Sequence, residues 1–148
     1  MARSVSDIAA DLDALLARDF DEADTAAEGH DRLEALCDEL REVADASAIA
    51  PPIFRTMERL DNVQLGTPGP LVHTLEATAG YQPYLVESLR RKPSPLALWM
   101  VNRILNGRPE NADSWLALLR TSIEHPAASP ATRASATEFL KHQASWAK

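Results

Sequence analysis

The sequence predicts an all-α protein of about eight short helices, judged from start and stop signals. They either stack as a HEAT- or armadillo-like α-solenoid or gather into a compact helical bundle. Three observations carry this. Apolar residues recur at helical spacing along most of the chain, and no stretch alternates with the period of a strand. Prolines stand where apolar helical patterns begin, as in Ser94-Pro95 and Ser129-Pro130. Proline is suited to the first helical position, because the N–H it lacks has no helical partner there.

Taken in order, Ile8, Leu12, Leu15 and Leu16 follow the i, i+4, i+7, i+8 spacing of one buried face, with Ser4 or Ser6 as cap. Asp19 to Gly29 is an acidic, alanine-rich connector. Leu33, Leu36, Cys37, Leu40, Val43 and Ala44 mark the apolar side of a second helix. Pro51-Pro52 opens a segment with Ile53, Phe54, Met57 and Leu60. Pro70 opens one with Leu71, Val72 and Leu75, and Pro83 one with Tyr84, Leu85 and Leu89. The run from Leu96 to Asn106, closed by Gly107, is apolar on nearly every side and predicts a central helix. Its polar exceptions, Asn102, Arg103 and Asn106, either pair within the protein or face a partner. Arg90-Arg91-Lys92 is a basic knot at a helix C-terminus, where the helix dipole favours cations. Asn111 caps a helix with Trp115, Leu116, Leu119 and Ile123. The last helix carries Ala136, Phe139 and Leu140.

The stretch NVQLGTPGPLVH, residues 62–73, reads as a corner. Thr67-Pro68-Gly69-Pro70 has the Pro-Gly centre of a type II turn, with Gly69 supplying the positive φ. Asn62 is a left-handed cap for the preceding helix, and Leu65 points into the core. The stretch matches neither GxxxxGK[ST] nor GxGxxG, so a phosphate loop is disfavoured.

The 148 residues suit one helical domain, with acidic N-terminal helices over 4–46 and proline-punctuated repeats over 50–146. One cysteine, Cys37, allows no internal disulfide and fits a reducing cytoplasm. The longest apolar run, Leu96 to Val101, is far short of a membrane span. The net charge is −7, and it is uneven. Residues 1–49 hold fourteen acidic and four basic side chains, against eight and eleven in residues 50–148. Nucleic acid is disfavoured as a partner, because phosphate binding needs clustered lysine and arginine.

Candidate chemistry is sparse. His73 and Glu76 share a helix face, but no second such pair completes a metal site. Cys37 lies on an apolar stripe, the place of a structural thiol rather than a nucleophile. There is no G-x-S-x-G elbow. No catalytic residue, metal or cofactor is expected. The strongest pattern is Asp31, Glu34, Asp38, Glu42 and Asp45, spaced three or four apart opposite Leu33, Leu36 and Leu40. Such a stripe of about four turns is either a solvated face or a binding surface for a basic protein.

The runs MERLDNVQLGTPGPLVHTLE and YLVESLRRKPSPLALWMVNRILNG resemble small all-helical, HEAT-like immunity proteins of bacterial polymorphic-toxin and contact-dependent inhibition systems. The resemblance covers about Phe54 to Gly107, and its motifs are corner and core residues. It implies a cytoplasmic protein that binds and blocks a cognate toxin and does no catalysis itself. Many such toxins are nucleases with basic clefts, which an acidic surface complements. No contact residue is carried over. The alternative is a helical-repeat adaptor that binds another cellular protein.

Overall fold

The computed structural model describes residues 3–24, 26–43, 45–66 and 68–145. Among these residues the chain forms eight α-helices, one 3-10 turn and no strand. The helices are α1 (Val5–Asp13), α2 (Gly29–Arg41), α3 (Ala46–Arg59), α4 (Gly69–Glu76), α5 (Gln82–Arg91), α6 (Pro95–Asn106), α7 (Ala112–Glu124) and α8 (Pro130–Ser145). Internal contacts divide the chain into two units, residues 1–84 and 85–148, with the boundary inside α5. The compositional shift at 46–50 is therefore not a structural boundary, since α3 spans it.

In the first unit α1 packs on α2 and α3 on α4, while α1 also meets α3 and α2 meets α4. Two helical hairpins laid side by side make this pattern of neighbours. Ser4 caps α1 by accepting the Asp7 N–H at 3.1 Å, and Ile8 and Leu12 are buried. Leu16 departs from expectation: it is 43% exposed. The helix stops at Asp13, and the chain enters the 3-10 turn Ala17–Phe20, so the i+8 position no longer lies on the helical face. Asp19 Oδ2 accepts the Leu16 N–H at 2.8 Å and fixes that turn. Phe20 is buried, with its ring edge-on to His30 at 5.1 Å.

Pro51 and Pro52 do not open a helix. They lie inside α3, which begins five residues earlier, where Asp45 accepts the Ser47 N–H at 2.9 Å. The strong aspartate cap wins the start, and the prolines cannot return helical hydrogen bonds to the Ser47 and Ala48 carbonyls. Burial of Pro52, Ile53 and Phe54 offsets that loss. At the far end of α3 the Arg59 guanidinium donates to the Leu15 and Leu12 carbonyls at 2.6 and 2.8 Å. These carbonyls lie in the last turn of α1 and just past its end; the Leu12 carbonyl also accepts the Leu15 N–H at 3.1 Å, and Arg59 ties α3 to α1.

The corner before α4 is built differently from the type II expectation. Gly69 has φ +80°, as expected, but Pro68 sits at φ −75°, ψ −31°, helical rather than extended. Gly66 also has a positive φ, +98°, and Pro68 occupies the N-cap position of α4. Asn62 is not left-handed: among the described non-glycine residues, positive φ occurs at Arg108. Leu65 is buried as expected. The expectations for Ala44 and Thr67 lie outside the described residues.

In the second unit α6, α7 and α8 pack on one another. Ser94 caps α6 through the Ala97 N–H at 3.3 Å, and Ser129 caps α8 through the Thr132 N–H at 3.2 Å. Asn111 occupies the N-cap of α7 without a side-chain capping bond. The buried residues of α6 include Ala97, Leu98, Met100, Val101 and Leu105. Its polar residues serve the fold: Gln143 of α8 donates to the Asn102 and Asn106 side-chain oxygens at 2.7 and 2.9 Å. The Arg103 guanidinium stacks 4.9 Å from the Trp99 ring centre, a cation–π contact.

Candidate functional site

Helix α2 places carboxylates outward because its other side is apolar. Leu33, Leu36, Cys37 and Leu40 are buried, so residues at i, i+3 and i+7 on the opposite side face water. Asp31, Glu34 and Asp38 are all exposed there. The stripe is shorter than its sequence spacing implies. Helix α2 ends at Arg41, Glu42 is its C-cap, and Asp45 belongs to the next helix. Asp45 accepts from both the N–H and the hydroxyl of Ser47 at 2.9 and 2.8 Å, and these hydrogen bonds lower its pKa. Its role as a cap ends the helical register that would have kept it on the stripe.

Neighbouring charges partly temper the face. Arg41 pairs with Asp38 at 2.8 Å, and its cation also suits the C-terminal end of the α2 dipole. Arg3 bridges Glu39 and Asp11 at 2.7 and 2.6 Å, tying α2 to α1. The bond from Arg3 holds Glu39 below the usual carboxylate range. The unit remains strongly acidic: residues 1–84 hold seventeen acidic and six basic side chains, against five and nine in residues 85–148. The opposition of sign therefore falls between structural units, more sharply than the sequence division indicated.

Cys37 is buried behind the acidic face, and burial pushes its thiol up to about 11, against a partial opposing effect of the Thr74 hydrogen bond. The folded state therefore prefers the neutral thiol, which is the poor nucleophile. That preference contributes stability that is intact below pH 9 and lost as pH rises from 9 toward about 11. Native protein at pH 8 is expected to resist a thiol reagent, with labelling appearing only as denaturant opens the first unit. Full labelling at zero denaturant would contradict the burial. His73 is exposed on α4, away from buried Leu71, Val72 and Leu75. Among the described residues no three His, Cys, Asp or Glu side chains gather closely enough to hold a metal ion.

Sequence reasoning missed one concavity. In the second unit a groove of about 650 Å³ runs between α5 and α7, lined by Leu89, Trp115, Leu118 and Arg90 among others. Its residues come from two helices separated in sequence, and Arg90 reads from the sequence only as part of a basic helix end. No described helix is long and apolar enough to cross a membrane. No family model, curated protein or solved structure matches the chain.

Proposed function

We propose that the protein is a binding module that docks on a basic protein surface through the exposed side of α2. In its specific form it is an immunity protein that occludes the active site of a cognate toxin. The observation that carries the reading is the display of Asp31, Glu34 and Asp38 on one side of a helix anchored by its apolar side, within a unit of large negative charge. Glu42 extends the patch beyond the helix end. A toxin acting on nucleic acid must present a basic cleft to phosphate. Carboxylates seated there exclude substrate by occupying the cleft and by repelling its charge. The protein contributes no catalysis and needs no cofactor in this reading, and the toxin would meet it in the cytoplasm. Its helical scaffold and the resemblance of Phe54 to Gly107 to immunity proteins support the choice of toxin over other basic partners.

The test is co-expression with the product of the gene immediately upstream, followed by growth, complex isolation and association kinetics. Rescue of growth with a stable complex is the expected result. Glu34→Lys with Asp38→Lys should then slow association about tenfold or more at low salt, with the gap closing at high salt. An unchanged rate at low salt would remove α2 as the interface. A complex without toxicity would favour the helical-repeat adaptor instead.

A further inference from the structure

In the first unit the outer helices of the two hairpins, α1 and α3, pack together. The second unit repeats the inner contact in the packing of α6 on α8. Between α5 and α7, where the matching outer contact would lie, there is instead the groove of about 650 Å³. Its base is apolar, with Leu89 and Trp115 buried and Val86 and Leu118 half-buried. The outer edge of α7 adds Ala117 and Thr121, both exposed.

The charge in the groove is one-sided. Arg90 is the charged residue of the lining; Asp113 and Glu124 stand on α7 but do not line the groove. His125 also lines the groove. The Ala127 N–H donates to its Nδ1 at 3.0 Å, so Nε2 carries the proton and donates to the Arg90 carbonyl at 2.7 Å. That bond holds the end of α5 to the loop after α7. The Arg90 guanidinium is exposed and has no hydrogen bond or ion pair among the described residues. Arg91 and Lys92 follow it, in a unit with more basic than acidic side chains.

We propose that this groove is a second docking site, which takes an acidic amphipathic segment of a partner protein. A large apolar side chain of the segment fills the space over Leu89 and Trp115, and an aspartate or glutamate one turn away pairs with Arg90. The apolar base supplies contact area, and the lone cation selects the sign of the partner. The site differs from the α2 face in location and in charge, and it stands whether or not that face binds a toxin.

The test is selection of a displayed random-peptide library on the full chain, followed by anisotropy titration of the enriched peptides. The expected peptides carry apolar residues at helical spacing with a neighbouring Asp or Glu. Arg90→Glu should weaken their binding at least about tenfold. Ala117→Arg, which fills the groove while keeping its charge positive, should do the same. Asp31→Lys on the α2 face should leave binding unchanged. Three results would overturn the proposal: basic peptides enriched, no enrichment, or binding that survives both groove variants. A concentration-dependent dimer in sedimentation, dissolved by Ala117→Arg, would give the groove to a second copy of the chain instead.

Discussion

Phe54→Ala is expected to destabilise the protein by about 3–5 kcal/mol, the range for emptying a buried aromatic site. Phe54 is 1% exposed and among the largest fully buried side chains. It lies on α3, which packs on α1 on one side and α4 on the other, so collapse around a vacancy must move helices rather than a loop. Alanine is the better helix former, but that gain is only about 0.5 kcal/mol and cannot compensate. Pro51 and Pro52 just upstream stiffen the backbone and limit its relaxation. Urea unfolding followed by far-UV circular dichroism should show a lower midpoint with an unchanged slope. Phe54→Leu, which keeps most of the volume, should cost less than about 1.5 kcal/mol. If the two variants were equally mild, the α1–α3–α4 core would be far looser than the burial of Phe54 implies.

The parts of the fold legible in the sequence were those set by local chemistry. Ser4, Ser94 and Ser129 each cap the helix that their position announces, because capping involves only the next three residues. The burial of Leu33, Leu36, Cys37 and Leu40 followed from helical period alone, and with it the exposure of Asp31, Glu34 and Asp38. Where two local rules competed, the sequence was ambiguous. At residues 45–52 an aspartate cap and a proline pair both mark a helix start, and the cap prevailed because buried neighbours compensate the prolines. The same cap removed Asp45 from the acidic stripe. Leu16 fits the helical spacing, yet α1 ends three residues before it, and nothing in the spacing encodes that stop. The α5–α7 groove was least legible. It arises where two helices distant in sequence fail to close on each other, a property of tertiary packing.

Gly29→Ala should lower stability by about 1–3 kcal/mol, the cost of forcing atoms into a full site. Helix propensity alone gives the opposite sign, since alanine is favoured over glycine by about 1 kcal/mol inside a helix. Space decides the matter. Gly29 is the buried first residue of α2, and a Cβ there would stand 2.7 Å from the Asp19 carbonyl carbon and closer still to its oxygen. Both atoms are backbone, so no side-chain rotation relieves the clash. The 3-10 turn is itself fixed by the bond from Asp19 to the Leu16 N–H and by the contact of Phe20 with His30. Either that turn or the start of α2 must move, and the Phe20–His30 contact adjoins the displaced residue. Gly107→Ala is the control: its added Cβ meets the Ile104 carbonyl oxygen at 3.3 Å, at a helix end with φ −77° that any residue adopts. Denaturation of the two variants should separate them, with Gly29→Ala clearly destabilised and Gly107→Ala near neutral. Because Asp31 lies two residues beyond Gly29, the same displacement disturbs the start of the acidic face without changing its charge. Association with a basic partner should therefore slow less for Gly29→Ala than for the charge reversals at Glu34 and Asp38. Equal slowing would mean that the shape of α2, rather than its charge, governs recognition.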